Sequence, residues 1–170
     1  MRVIIILIVL SLYGNIVFSQ NEKKSELPSI DIKTLTGETF NTSDIKNPEG
    51  PVFLSFWATW CKPCIKELIA VDENYEDWQD EFGLKVYAVS IDDVKSMNRV
   101  APFVNGRAWD FEVLLDPNSD FKRAMNVINV PHSFILNENG EVIWQHNSYS
   151  PGDEDEIYKI LKEITPEKED

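Results

Sequence analysis

Residues 56–64 read FWATWCKPC and carry Cys61 and Cys64, the two cysteines of a 170-residue chain. Two thiols so close together make a poor staple. In the chain-entropy view so short a ring contributes about 2 kcal/mol, against about 4.7 kcal/mol for a bridge spanning a hundred residues. Residues 52–57 form an apolar run of the kind found in strands buried on both faces. Beyond the pair, Cys64, Ile65, Leu68, Val71, Tyr75 and Trp78 recur at helical spacing until Gly83 ends the pattern. Cys61 therefore lies where a buried strand gives way to a helix. Unpaired backbone N–H groups and the positive end of the helix dipole favour a thiolate there. The thiolate is the form that attacks a disulfide. Cys64, one turn later, lies against the protein and is placed to resolve a mixed disulfide formed on Cys61. Pro63 suits the first helical turn, having no N–H to lose. Lys62 either lowers the Cys61 pKa modestly or, as an exposed lysine, does little.

Two other uses of a C-x-x-C pair compete with redox exchange: an inert staple and half of a metal site. A structural zinc site wants four ligands, and no second C-x-x-C exists. His132 and His146 are too far apart for finger ligands and read as surface or strand histidines. No bound metal and no other cofactor is expected.

At 43% hydrophobic and 26% charged, the chain reads as one ordinary globular domain. A formal charge of -13 argues against a nucleic-acid partner, which would need clustered Lys and Arg. Acidic blocks at residues 152–156 and 167–170 read as solvated surface. Arg2, the apolar run of residues 3–12 and Val17-Phe18-Ser19 have the form of an export signal cleaved before Gln20. An uncleaved membrane anchor is the alternative. Export places the thiols where disulfides form and persist, outside the cytoplasmic membrane or in a periplasm. The expected organisation is a signal peptide over residues 1–19, a linker over 20–28, one domain over 29–165 and an acidic tail over 166–170.

Residues 29–33 alternate as a half-buried strand, and Thr39 and Phe40 begin another after a turn at Thr36-Gly37-Glu38. Residues 84–91 and 111–115 read as further strands. Residues 93–104 read as a helix, and residues 119–125 as a short one capped by Asn118 or Ser119. Asn137-Glu138-Asn139-Gly140 joins two strands, 131–136 and 141–146, as a hairpin. Residues 153–164 close the chain as an amphipathic helix. The class is α/β with a mixed sheet.

The segment Phe56-Trp57-Ala58-Thr59-Trp60-Cys61-Lys62-Pro63-Cys64 resembles the thioredoxin active site. Val130-Pro131-His132-Ser133-Phe134-Ile135-Leu136 resembles the segment carrying that fold's cis-proline. The export signal, the N-terminal strand pair, the insert around residues 92–115 and Leu114-Leu115-Asp116-Pro117 resemble the TlpA/ResA branch of thiol-disulfide oxidoreductases. The resemblance covers roughly residues 28–165. It implies a thioredoxin-like three-layer sandwich with a strand pair before it and an insert ahead of the cis-proline segment. It also implies that Val130-Pro131 is cis and faces the cysteines. A client strand would then pair with the Val130 backbone. Trp60 would shield the sulfurs and offer an apolar contact, simple packing being the other reading. Thioredoxin's buried Asp six residues before its first cysteine is here Ser55. Glu67 matches a glutamate of the ResA branch and is either the proton acceptor for Cys64 or a solvated helix carboxylate. Ile69 stands where many relatives have a helix-kinking proline.

The leading function is therefore an exported reductase of client-protein disulfides, re-reduced by a membrane thiol-disulfide electron donor. Clients could include apocytochromes awaiting haem attachment, by analogy with some relatives. The alternatives are a disulfide oxidant and a copper-binding protein on the same scaffold. Soft thiolates suit Cu(I). Exported relatives of that kind, however, space their cysteines by three and add a distal histidine.

Overall fold

A computed structural model describes residues 26–165. The expected signal segment, most of the expected linker and the expected acidic tail lie outside the described residues. The end of the linker is tied down. Glu26 bridges Glu141, Leu27 packs on the core, and the Pro28 carbonyl accepts from the Thr42 hydroxyl.

Seven strands, β1 (Asp31–Thr34), β2 (Thr39–Asn41), β3 (Val52–Trp57), β4 (Lys85–Ser90), β5 (Glu112–Leu115), β6 (His132–Leu136) and β7 (Val142–Asn147), form one sheet. Its order is β2-β1-β5-β4-β3-β6-β7. The central β3, β4 and β5 run parallel, while β1, β2, β6 and β7 add antiparallel neighbours. Among the described residues, four α-helices accompany the sheet: α1 (Lys62–Phe82), α2 (Val100–Asn105), α3 (Asp120–Ala124) and α4 (Asp153–Ile164).

Strand β3 is buried along its whole length, as its unbroken apolar run requires. Its alternate side chains feed two cores. Phe53 and Trp57 point to the layer holding α1, α2 and α4, where Leu68, Val71, Val100, Ile157 and Leu161 are buried. Val52, Leu54 and Phe56 point to the other layer, with Ile45, Phe121 and Phe134. A fully buried large apolar side chain contributes about 1.5–3 kcal/mol, so Ile157 and Leu161 anchor α4 to the sheet. The insert contributes Phe103 and Trp109, whose rings lie 5.6 and 5.5 Å from that of Trp57.

Two predicted helices start differently. Residues 94–99 are a turn and a 3-10 segment, and α2 begins only at Val100. The Asp93 carboxylate accepts from the Lys95 and Ser96 N–H groups and from the Ser96 hydroxyl, and these local bonds compete with helix. In α3, Ser119 occupies the cap position but makes no capping bond. The buried Asp116 carboxylate does so instead, accepting from the N–H groups of Asp120 and Lys122 at 2.8 Å each. Strand edges elsewhere differ from the periodicity by one or two residues, as fraying ends do. Among the described residues, no helix is long and apolar enough to cross a membrane.

The long helix ends at Gly83, left-handed at φ 68°, directly against Gly50. A Cβ on Gly50 would lie 2.4 Å from the Phe82 carbonyl oxygen and 2.7 Å from that of Gly83. Backbone atoms cannot swing away, so Gly50→Ala is expected to cost about 1–3 kcal/mol of stability. Chemical denaturation of the two proteins measures this as a lowered midpoint.

Candidate active site

Cys61 is the N-cap of α1. Its sulfur accepts from the Cys64 N–H at 3.3 Å, so one of the helix's unpaired donors points at the reactive atom. Pro63 sits in the first turn, exposed together with Lys62. The two cysteines are joined in a disulfide, with their Cα atoms 5.3 Å apart. Cys61 is 5% exposed and Cys64 is fully buried, so Cys61 is the one with access to a partner.

The Val130–Pro131 peptide bond is cis, and the Val130 carbonyl oxygen lies 3.7 Å from the Cys61 sulfur. The segment ahead of β6 thus forms one wall of the site and the Cys61 loop the other. Trp60 is 62% exposed, so its ring lies outside the core. His132 is half-buried, stacked on Phe134 with ring centres 4.6 Å apart, and burial pushes its imidazole pKa down. His146 lies 3.5 Å from Asp153.

Glu67 is not a solvated helix carboxylate. It is 2% exposed and projects from α1 onto the sheet. Ser55 on β3 and Ser133 on β6 are directly paired across the two strands. Both hydroxyls donate to the carboxylate, Ser55 to Oε2 and Ser133 to Oε1, each at 2.7 Å. Glu67 follows Cys64 by three residues on a helix, which brings their Cβ atoms to about 5–6 Å. Burial is the largest influence on its pKa, with the nearby Asp153 charge adding to it. The two serine hydroxyls act the other way, and the result is a carboxyl raised from 4.5 to about 7.

Sequence reasoning noted Ser55 as a lost acid and missed its use as a hydrogen-bond donor. It missed Ser133 entirely. The available signal was a serine flanked by apolar residues in VFLSFW and one following the histidine that opens HSFIL. It also missed Thr59 and the buried Asp92, which join the Cys61 loop to the end of β4.

A helix-capping disulfide beside a cis-proline, with a buried carboxyl of raised pKa one helical turn on, is a dithiol/disulfide exchange centre. The AhpC/TSA family profile matches residues 24–145. The chain belongs to that family. A thiol-disulfide oxidoreductase ResA of Bacillus cereus is 33% identical over 97% of this chain and 95% of its own. A thioredoxin-like protein of Porphyromonas gingivalis, solved in solution, is 45% identical with a TM-score of 0.74, covering 82% of this chain and 91% of its own. StoA from Bacillus subtilis is 26% identical with a TM-score of 0.60, covering 78% and 97%. The protein is a thiol-disulfide oxidoreductase of the ResA/StoA type.

Glu67 also makes stability depend on pH. Its carboxyl titrates near 4.5 unfolded and near 7 folded, so the unfolded chain loses the proton first. The favourable contribution of the protonated group is complete below 4.5 and lost as pH rises through 7. The gap corresponds to roughly 3 kcal/mol at 1.36 kcal/mol per unit. Glu67→Gln in the oxidised protein is expected to lose this fall. Denaturation midpoints of both proteins from pH 4 to pH 9 give the difference directly.

Proposed function

We propose that the protein is an exported reductase of disulfides in client proteins, with Cys61 as nucleophile, Cys64 as resolving thiol and Glu67 as proton acceptor for Cys64. The buried Glu67 carboxyl, held between two hydroxyls and poised near neutrality, carries this reading. A resolving thiol without access to water must pass its proton to a group inside the protein, and Glu67 is the titratable group one turn away.

The cycle starts from the dithiol. The Cys61 thiolate attacks one sulfur of the client disulfide, forming a mixed disulfide and expelling the other client sulfur as a thiolate. Cys64 passes its proton to Glu67, and the new thiolate attacks the Cys61 sulfur. The Cys61–Cys64 disulfide forms, the second client thiolate leaves, and the client has gained two electrons. A membrane thiol-disulfide donor then returns two electrons to the pair. The Val130 backbone aligns the client strand, and Trp60 gives it an apolar surface. Pro63 and Lys62 shape the first turn around Cys61.

Support for the direction comes from the Trp-Cys-x-Pro-Cys context and the ResA/StoA likeness. Support for export comes from the N-terminal residues 1–19. Apocytochromes awaiting haem attachment enter as one client class by analogy with some members of the TlpA/ResA branch. A reduction potential near or below the glutathione range marks a reductant, and one near -120 mV marks an oxidant.

Cys64→Ser leaves the attack on Cys61 intact and removes its resolution. Covalent adducts on Cys61, released by a reductant and recovered from the native compartment, are the expected result. Recovery of no protein adduct contradicts a dedicated protein client.

Glu67→Gln is expected to slow resolution at pH 7 on the order of 10²-fold. In the native protein the resolution rate climbs with pH through about 7 as Glu67 ionises, and the variant loses that limb. Stopped-flow measurement of mixed-disulfide decay against pH tests both effects.

A further inference from the structure

Three of the exposed large apolar side chains stand on the loops that frame Cys61. Trp60, 62% exposed, immediately precedes it. Val94, 64% exposed, lies in the loop after β4, and Ile128, 78% exposed, lies two residues before Val130. Open apolar residues gathered round one point mark a contact surface, whereas scattered ones need no explanation.

A buried carboxylate ties two of these loops together. Asp92 is 1% exposed. Its Oδ2 accepts from the Thr59 N–H at 2.8 Å and from the Ser90 hydroxyl at 2.9 Å, while Oδ1 accepts from the Thr59 hydroxyl at 2.6 Å. The Asp92 N–H donates back to the Ser90 hydroxyl at 3.1 Å, which fastens the carboxylate to the end of β4. Thr59 adjoins Trp60, and Asp92 is two residues from Val94. The bidentate grip on Thr59 therefore sets where Trp60 and Val94 stand relative to each other and to Cys61.

We propose that Asp92 is a positioning residue which, through Thr59, holds Trp60 and Val94 as one apolar wall beside Cys61. The wall receives an extended client segment with apolar side chains flanking its disulfide cysteine. This rests on the reductase reading above and adds the client's chemistry to it. The grip needs two polar positions on residue 92, one accepting from the Thr59 N–H and one hydrogen-bonding the Thr59 hydroxyl. Asparagine preserves the contacts, since its oxygen can accept from the N–H while its amide donates to the Thr59 oxygen. Alanine keeps neither contact.

The test is reduction of insulin by the full protein under a chemical dithiol donor, with KM and kcat separated. Val94→Ser and Asp92→Ala are expected to raise KM roughly threefold or more with kcat within about twofold. Thr59→Val, which keeps the backbone bond, shifts KM in the same direction by less. Asp92→Asn restores KM to near that of the native protein. Val94→Ser changes only an exposed side chain, so it keeps the test informative if Asp92→Ala fails to fold. Native turnover with an unchanged KM in Val94→Ser and Thr59→Val overturns the wall. An Asp92→Asn protein as impaired as Asp92→Ala overturns positioning by geometry. No turnover by the native protein overturns the reductase reading and this inference with it.

Discussion

The carboxyl of Glu67, enclosed between the hydroxyls of Ser55 and Ser133, is the contact on which the proposed proton transfer from Cys64 depends. It bridges three elements at once: the helix that begins at Cys61, the strand that feeds it and the strand that begins beside the cis-proline. A charge buried so deeply would be expelled or neutralised without partners. With two donors it is held at the edge of ionisation, where it can take up a proton or release one near neutral pH. The cost falls on stability, because the ionised form is poorly housed. Sites that need a poised group commonly carry such a cost.

Topology brings these parts together. The parallel strands β3, β4 and β5 all end at the same edge of the sheet, and the loop leaving each carries part of the site or its support. The loop after β3 carries Trp60 and Cys61. The loop after β4 carries Asp92, which fastens to Thr59. The residue after β5 is Asp116, whose N–H donates to the Ser90 carbonyl and whose carboxylate organises the start of α3. The segment after α3 leads to Val130 and Pro131. Two buried carboxylates on neighbouring strand ends thus fix the Cys61 wall and support the approach to the cis-proline wall. Ligands of open α/β sheets bind at the carboxyl ends of the strands for the same topological reason.

Much of this arrangement was legible in the sequence. Strand β3 and helix α4 have the bounds that periodicity gives, and Gly83 ends α1 because a left-handed residue is needed there. Cys61 as a helix cap with Cys64 one turn below follows from the apolar run and the spacing that succeeds it. Contacts between distant segments were not legible. The environment of Glu67 depends on the register that sets Ser55 against Ser133, nearly eighty residues along, and no local pattern encodes a register. Helical spacing did not distinguish Glu67 from neighbouring carboxylates; resemblance to the ResA branch singled it out. The delayed start of α2 has a different cause: Asp93 was read as part of a helix when its side chain was competing with one.

Carbon-13 NMR titration of the Glu67 carboxyl in the oxidised protein tests the central claim most directly. A midpoint near 7 is the predicted result. A midpoint at the ordinary value near 4.5 would make the carboxylate too weak a base to take the Cys64 proton near neutral pH and would contradict the account.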